Sequence, residues 1–192
     1  ITSTCESVEE VQIYKPIYVA KTGSDANGDG TFANPFLTIQ KGINIASEGQ
    51  KIYVLPGNYK EQQLNFGSNG GKSVYIASDL VRLGDSSAIA STIINADGDQ
   101  YLIYLNGENT TTIQGFTFTG QIGGSDWEGA LLRLNGGAKP TFRDLIIRNN
   151  IMGSSYSPEA QIMNVRNSGT HPIFDNVYFK NNATSSTSQS RK

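Results

Sequence analysis

Short alternating apolar runs recur along this chain at a nearly constant spacing. The clearest is residues 132–150, LRLNGGAKPTFRDLIIRNN. Upstream, Ile103, Leu105, Asn106, Gly107, Ile113, Phe116 and Phe118 fall on Leu132, Leu134, Asn135, Gly136, Phe142, Leu145 and Ile147, a register of 29 residues (132 minus 103). Downstream, Pro140, Phe142, Leu145, Ile147, Asn149 and Asn150 map onto Pro172, Phe174, Val177, Phe179, Asn181 and Asn182, a register of 32 (172 minus 140). Apolar residues two apart are the signature of a strand with one buried face. Repeats of this length, each too small to bury that face alone, predict units that stack on one another. Gly, Asn and Pro separate the runs, where Gly and Asn tolerate positive φ and Pro presets φ, so each unit reads as three short strands joined by three corners. The expected fold is all-β, one coil of a β-solenoid per repeat.

The period changes once. Phe36, Ile39, Ile43 and Ala46 lie at helical spacing after Pro35, with Gly49 placed as a C-cap. A short amphipathic helix there is expected to lay its apolar face over the first coil. The resulting organisation is a lead-in at residues 1–16, a cap at 17–51, coils at 52–183 and a polar tail at 184–192. The repeat stops at Phe179 with no capping element after it, which predicts either a continuing chain or end-to-end stacking through the uncovered coil.

Composition narrows the function classes. The 192 residues carry a net charge of −2 and a charged fraction of 17%, without the clustered basic surface that nucleic-acid binding needs. No apolar run approaches the roughly 20 residues of a membrane-spanning helix. The single cysteine, Cys5, cannot close an internal disulfide or build a metal site by itself.

The segment 17–39, IYVAKTGSDANGDGTFANPFLTI, followed by 52–59, IYVLPGNY, resembles the opening of secreted right-handed parallel β-helix proteins of the pectate-lyase-like superfamily. The later GFTFTG, P-x-F and NN runs are similar to their coils. The resemblance implies a right-handed parallel β-helix with a short N-terminal capping α-helix, in an extracellular or cell-surface protein. It does not imply one activity, because a fold of this kind hosts many.

On that resemblance, residues 52–55, 92–95, 116–119, 145–148 and 177–180 are expected to stack as one sheet. Val54, Ile94, Phe118, Ile147 and Phe179 then point inward. Outward go the columns Tyr53-Ile93-Thr117-Ile146-Tyr178 and Leu55-Asn95-Thr119-Arg148-Lys180. Lyases of this kind need clustered carboxylates for Ca²⁺ and a basic residue, and glycosidases need two carboxylates. Neither column holds an Asp or Glu. Tyr53, Ile93, Ile146 and Tyr178 are candidates for an assembly surface, or ordinary outward strand residues. Arg148 and Lys180 are candidates for an acidic glycan, or solvated charges.

Two long corners, 120–129 and 149–160, are where such stacks tolerate functional insertions. Trp127 between Asp126 and Glu128 suits stacking on a sugar ring with carboxylates taking its hydroxyls, and Tyr156 falls one coil on. The plain alternative is that Trp127 covers its own loop. Asp25, Asn27 and Asp29 begin like a Ca²⁺ loop, but the distal bidentate Glu is missing, and an Asx-type turn is the simpler reading. His171 reads as a solvated corner residue. Asn109-Thr-Thr and Asn182-Ala-Thr are glycosylation sequons if the source is eukaryotic. Corner asparagines (Asn106, Asn135, Asn167; Asn150, Asn182) are expected to bond along the stack.

The leading expectation is a non-catalytic extracellular β-helix module for display, adhesion or assembly, with a polysaccharide or cell-surface glycan as partner and self-association as a second route. A carbohydrate-active enzyme is the alternative, and a phage or filament component stacking end to end is the third reading.

Overall fold

The computed structural model describes residues 14–67, 71–98, 101–123, 130–152 and 162–184. Nearly all of its strands pair in parallel, in three ladders that the chain visits in turn. The first ladder runs Ile17–Val19, Lys51–Val54, Tyr75–Ser78, Thr112–Gln114, then the front of Thr141–Arg148 and of Ile173–Lys180. The second runs Gly57–Lys60, Thr92–Gly98, Thr117–Gly123, then the rear halves of the same two long strands. The third runs Leu64–Asn65, Ile103–Leu105, Leu132–Leu134 and Met163–Val165. Successive strands of one ladder are therefore one repeat apart in sequence.

The registers follow the spacing of the apolar positions. Ile103 pairs with Leu132 and Thr112 with Thr141, 29 residues on; Thr141 pairs with Ile173, 32 on. The third ladder departs by one, Leu132 pairing with Met163, so an extra residue lies between that strand and the next corner. Inward positions stack in columns: Ile52, Ile76, Ile113 and Phe142 in the first ladder, Tyr59, Ile94, Phe118 and Ile147 in the second, Leu64, Ile103 and Leu132 in the third, all buried in one apolar cluster. Burial of each such side chain contributes about 1.5 to 3 kcal/mol. The corner between the first two ladders needs a positive φ, taken by Gly115, Asp144 and Asn176. The next corner repeats the device with Gly120, Asn149 and Asn181. At Gly120 a Cβ would collide with the Asn95 side chain, so there the absence of a side chain is also a packing requirement.

Helix α1, Ile39–Ile45, covers the first repeat as expected, burying Ile39 and Ile43 against the core. Gly42 lies so close to the sheet that an added Cβ would stand 3.1 Å from Val19 and 3.2 Å from Ile52. The helix ends earlier than Gly49 predicts: Ala46 is the C-cap, because the backbone turns extended there to enter the next strand. Two single-turn helices were not expected, α2 at Asp79–Leu83 and α3 at Ser87–Ser91. Ser78 caps α2 at its start and Gly84, with φ 72°, ends it. This segment lies on the outer side of the stack, where Thr117 Oγ1 donates to Ile89 O at 2.8 Å and Gly115 packs under Leu80.

Two expectations are corrected. Residues 52–55 do not begin the ladder of 92–95; that place belongs to Gly57–Lys60, whose Asn58 pairs with Ile93 and Lys60 with Asn95. Tyr53 instead pairs with Tyr18 and Ala77, leaving Tyr53 and Leu55 outside the proposed outward columns. The chain turns at Pro56 and Gly57, so both strands flanking the turn carry an alternating pattern, and alternation alone places the ladder one corner too early. Nor is the column through Ile93, Thr117 and Ile146 an open surface. Thr117 is fully buried beneath α3, and its two neighbours are half-buried.

Candidate functional site

On the third ladder the alternation sends Leu64, Ile103 and Leu132 inward, so Asn65, Tyr104, Arg133 and Asn164 form one outer column. Tyr101, on the corner that leads into Ile103–Leu105, stands beside it. The rings of Tyr101 and Tyr104 lie 5.4 Å apart at 54°. The Arg133 guanidinium lies over both, 5.1 Å from the Tyr104 centroid and 5.7 Å from that of Tyr101. Such cation–π contacts contribute about 0.5 to 2 kcal/mol and hold the rings in place.

These tyrosines form one wall of a cleft of about 350 Å³ whose other lining includes Gln63, Asn65, Gly67 and Asn106. Its described lining residues offer two phenols and three side-chain amides, and no carboxylate. Phenols and amides both donate and accept, matching hydroxyl-rich ligands, while aromatic rings match their C–H faces. A second cleft of about 310 Å³ adjoins it, sharing Asn65 and Gly67 and adding Ile43, Asn44, Phe66 and Lys72. The Lys72 ammonium is engaged, donating to Asn44 O at 3.0 Å and Ala46 O at 2.7 Å, the carbonyls that end α1. Asn65 is fixed by Gln40, which bonds both its N–H and its carbonyl, and its Oδ1 accepts from Gly67 N.

Sequence reasoning did not single out this face, because it looked for a ligand at the long corners 120–129 and 149–160 and at Arg148 and Lys180 on the second ladder. Tyr101 and Tyr104 were legible as an aromatic pair three apart, but only the third-ladder pairing puts Arg133 next to them. Of the residues that the sequence singles out, Arg148 and Lys180 pair in the outer column of the second ladder. Lys180 lines a different opening of about 310 Å³ with Ile162, Phe179, Asn181 and Asn182, at the uncovered face of the last described repeat. Ile93, Ile146 and Tyr178 share the column through Thr117, and Tyr178 is 62% exposed. Asp126, Trp127, Glu128 and Tyr156 lie outside the described residues, as does Cys5.

The cap loop uses its polar atoms internally. Asp25 Oδ1 accepts from Leu37 N at 2.8 Å and Thr38 N at 3.0 Å, and its Oδ2 accepts from the Thr38 hydroxyl at 2.7 Å. Burial alone would raise the Asp25 pKa; these donors and Lys41 outweigh it and hold it below the ordinary value. Asp29 accepts from Thr31 N at 2.9 Å, which lowers its pKa, and Asn27 N donates to the Ser24 hydroxyl. Among the described residues no three His, Cys, Asp or Glu side chains group to hold a metal ion. A second carboxylate, Glu61, reaches the same helix end, accepting from Ile39 N at 2.7 Å. Burial pushes the Glu61 pKa up, and nearby Asp25 adds to that.

The corner asparagines bond along the stack. Asn167 Nδ2 donates to Asn135 Oδ1 at 2.7 Å, and Asn150 Nδ2 to Asn182 Oδ1 at 2.9 Å. Both sequon asparagines are engaged: buried Asn109 donates to Lys72 O and Asn182 to Ile147 O. His171 is exposed at its corner, its N–H bonded to Ala138 O.

Fold and site together describe an all-β protein of stacked parallel ladders with an aromatic and amide-lined cleft on one outer face. No helix among its described residues is long and apolar enough to cross a membrane. No family model matches the chain, and no curated protein matches it. Among solved structures it shows a weak similarity to a pectin methylesterase from Aspergillus niger, at 13% identity over 94% of this chain and 89% of that one, with a TM-score of 0.21.

Proposed function

We propose that this chain is a non-catalytic recognition module of an extracellular protein, built as a right-handed parallel β-helix with α1 as its N-terminal cap, and that it binds a glycan on the third ladder. The observation that carries the reading is the Tyr101, Tyr104 and Arg133 cluster at the edge of a cleft walled by Gln63, Asn65 and Asn106. Rings held in place by a guanidinium lose little entropy on contact with a sugar, and amides discriminate its hydroxyls. The extracellular placement rests on the resemblance of residues 17–59 to secreted β-helix openings. Ca²⁺ at the cap loop is not part of this reading, since Asp25 and Asp29 already serve as acceptors for backbone N–H groups.

The test is a glycan array, with polysaccharide breakdown followed in the same samples, for the wild type and Tyr104→Ala. The expected result is binding without cleavage, weakened about tenfold or more in the variant, a loss of about 1.4 kcal/mol. Cleavage of any polymer would replace this reading with that of a carbohydrate-active enzyme. Binding that is indifferent to Tyr104→Ala would move the site elsewhere.

A further inference from the structure

The cleft beside α1 meets the tyrosine cleft at Asn65 and Gly67, and backbone groups fix which way its side-chain amides face. Gln40 accepts at Oε1 from Asn65 N at 2.8 Å and donates from Nε2 to Asn65 O at 2.9 Å. A backbone N–H only donates and a carbonyl only accepts, so these two bonds set the orientation of the Gln40 amide. The same Nε2 donates to Asn44 Oδ1 at 2.7 Å, which leaves Asn44 Nδ2 as the end of that amide available to a ligand. Asn65 Oδ1 accepts from Gly67 N at 2.8 Å, which leaves Asn65 Nδ2 in the same role. Lys72 keeps its charge and a third N–H after donating to Asn44 O and Ala46 O. The carbonyls of Asn44, Asn65 and Phe66 already accept, from Lys72 Nζ, Gln40 Nε2 and Lys72 N. Three side chains of one cleft therefore offer donors, beside the buried Ile43 and Phe66. A hydroxyl placed among donors leaves its own proton without a partner there, whereas an oxygen that only accepts carries no such cost.

We infer that this cleft takes a substituent whose oxygens accept hydrogen bonds, a carboxylate or an acetyl carbonyl, carried by the sugar chain bound at Tyr101 and Tyr104. The inference rests on the glycan reading and adds what the glycan must carry. Asn65, shared by the two clefts, is the specificity-determining residue. Gln40 lines neither cleft and sets the polarity of both asparagines.

The test is calorimetric titration of the whole chain with matched tetrasaccharides: β-1,4-glucan, its 2-N-acetylated form and its 6-carboxylate form, and the same set on a galactan backbone. Each is run at low salt and at about tenfold higher ionic strength, which largely screens exposed charge pairing. A substituted sugar is expected to bind about tenfold or more tighter than the unsubstituted one on its backbone. Preference that falls with salt identifies the carboxylate, and preference indifferent to salt identifies the acetyl group. Asn65→Asp keeps an oxygen to accept from Gly67 N and replaces the Nδ2 donor with a second acceptor. It is expected to bring the ratio of substituted to unsubstituted affinity to within about twofold of one, with the melting midpoint as the check on folding. Asn44→Asp makes the same exchange on α1, keeping the oxygen that Gln40 bonds, and is expected to lower the ratio about threefold or more. Equal affinity within each matched set, or a ratio that both variants leave unchanged, would overturn the inference and leave the glycan reading intact. Silence from every sugar would overturn both.

Discussion

Two carboxylates meet at the start of α1, and they answer pH in opposite directions. Asp25 is held below the usual carboxylate range, after burial is outweighed, by the Thr38 hydroxyl and the N–H groups of Thr38 and Leu37. Its contribution is present above the unfolded pKa of about 3.9 and is lost as pH falls through the lower folded value. Glu61 is raised by burial, so its contribution is full below the unfolded value of about 4.3 and is lost as pH rises through the folded one. Glu61→Gln keeps an oxygen to accept from Ile39 N and removes the buried charge. Melting curves across pH are therefore expected to coincide for wild type and Glu61→Gln in acid, and to separate in favour of the variant as pH rises. Parallel curves would show that Glu61 carries no buried charge. Asp25→Ala is expected to cost about 1 kcal/mol at neutral pH, read by denaturant titration, because it leaves the N–H groups of Leu37 and Thr38 and the Thr38 hydroxyl, which lead into α1, without their acceptor.

At the scale of elements, the corner asparagines decide how one repeat grips the next. Asn150 is fully buried, accepts from Gln121 N at 3.1 Å and donates to Asn182 Oδ1. Asn150→Ala orphans a buried N–H and should destabilise by about 2 to 3 kcal/mol in the same denaturant assay. One repeat earlier the position is Gln121, fully buried, with neither side-chain amide atom bonded. Asparagine there would reach Asn150 as Asn150 reaches Asn182, so Gln121→Asn is expected to gain about 1 kcal/mol; a loss would mean that the longer side chain fills space the ladder needs.

The repeat and its later strands were legible from these same apolar and Asn positions, because period and corner chemistry agree at 103–118, 132–147 and 174–179, and α1 was legible from the helical spacing of Phe36, Ile39, Ile43 and Ala46. The assignment of 52–55 failed because strands on both sides of a tight turn alternate alike, and only the partner strand distinguishes them. Helices α2 and α3 escaped because five residues show no period, although Ser78 and Gly84 mark the ends of α2. The cleft was the least legible, since Tyr104 and Arg133 are 29 residues apart in sequence and adjacent only through the third ladder.

For the whole molecule, stability is expected to be graded along the stack, since each repeat is held by its neighbours. Thr141–Arg148 is paired on both sides, whereas among the described residues Ile173–Lys180 is paired on one, and its inward Phe179 remains 51% exposed. Amide exchange should be slowest in 141–148 and faster in 173–180; equal protection would mean that the last repeat is covered in solution. The most direct test of the recognition claim follows amide chemical shifts while a bound oligosaccharide is titrated in. Shifts concentrated at Asn65, Tyr101, Tyr104 and Arg133 are the predicted result. Shifts confined to Arg148 and Lys180 on the second ladder, or no shifts at all, would contradict it.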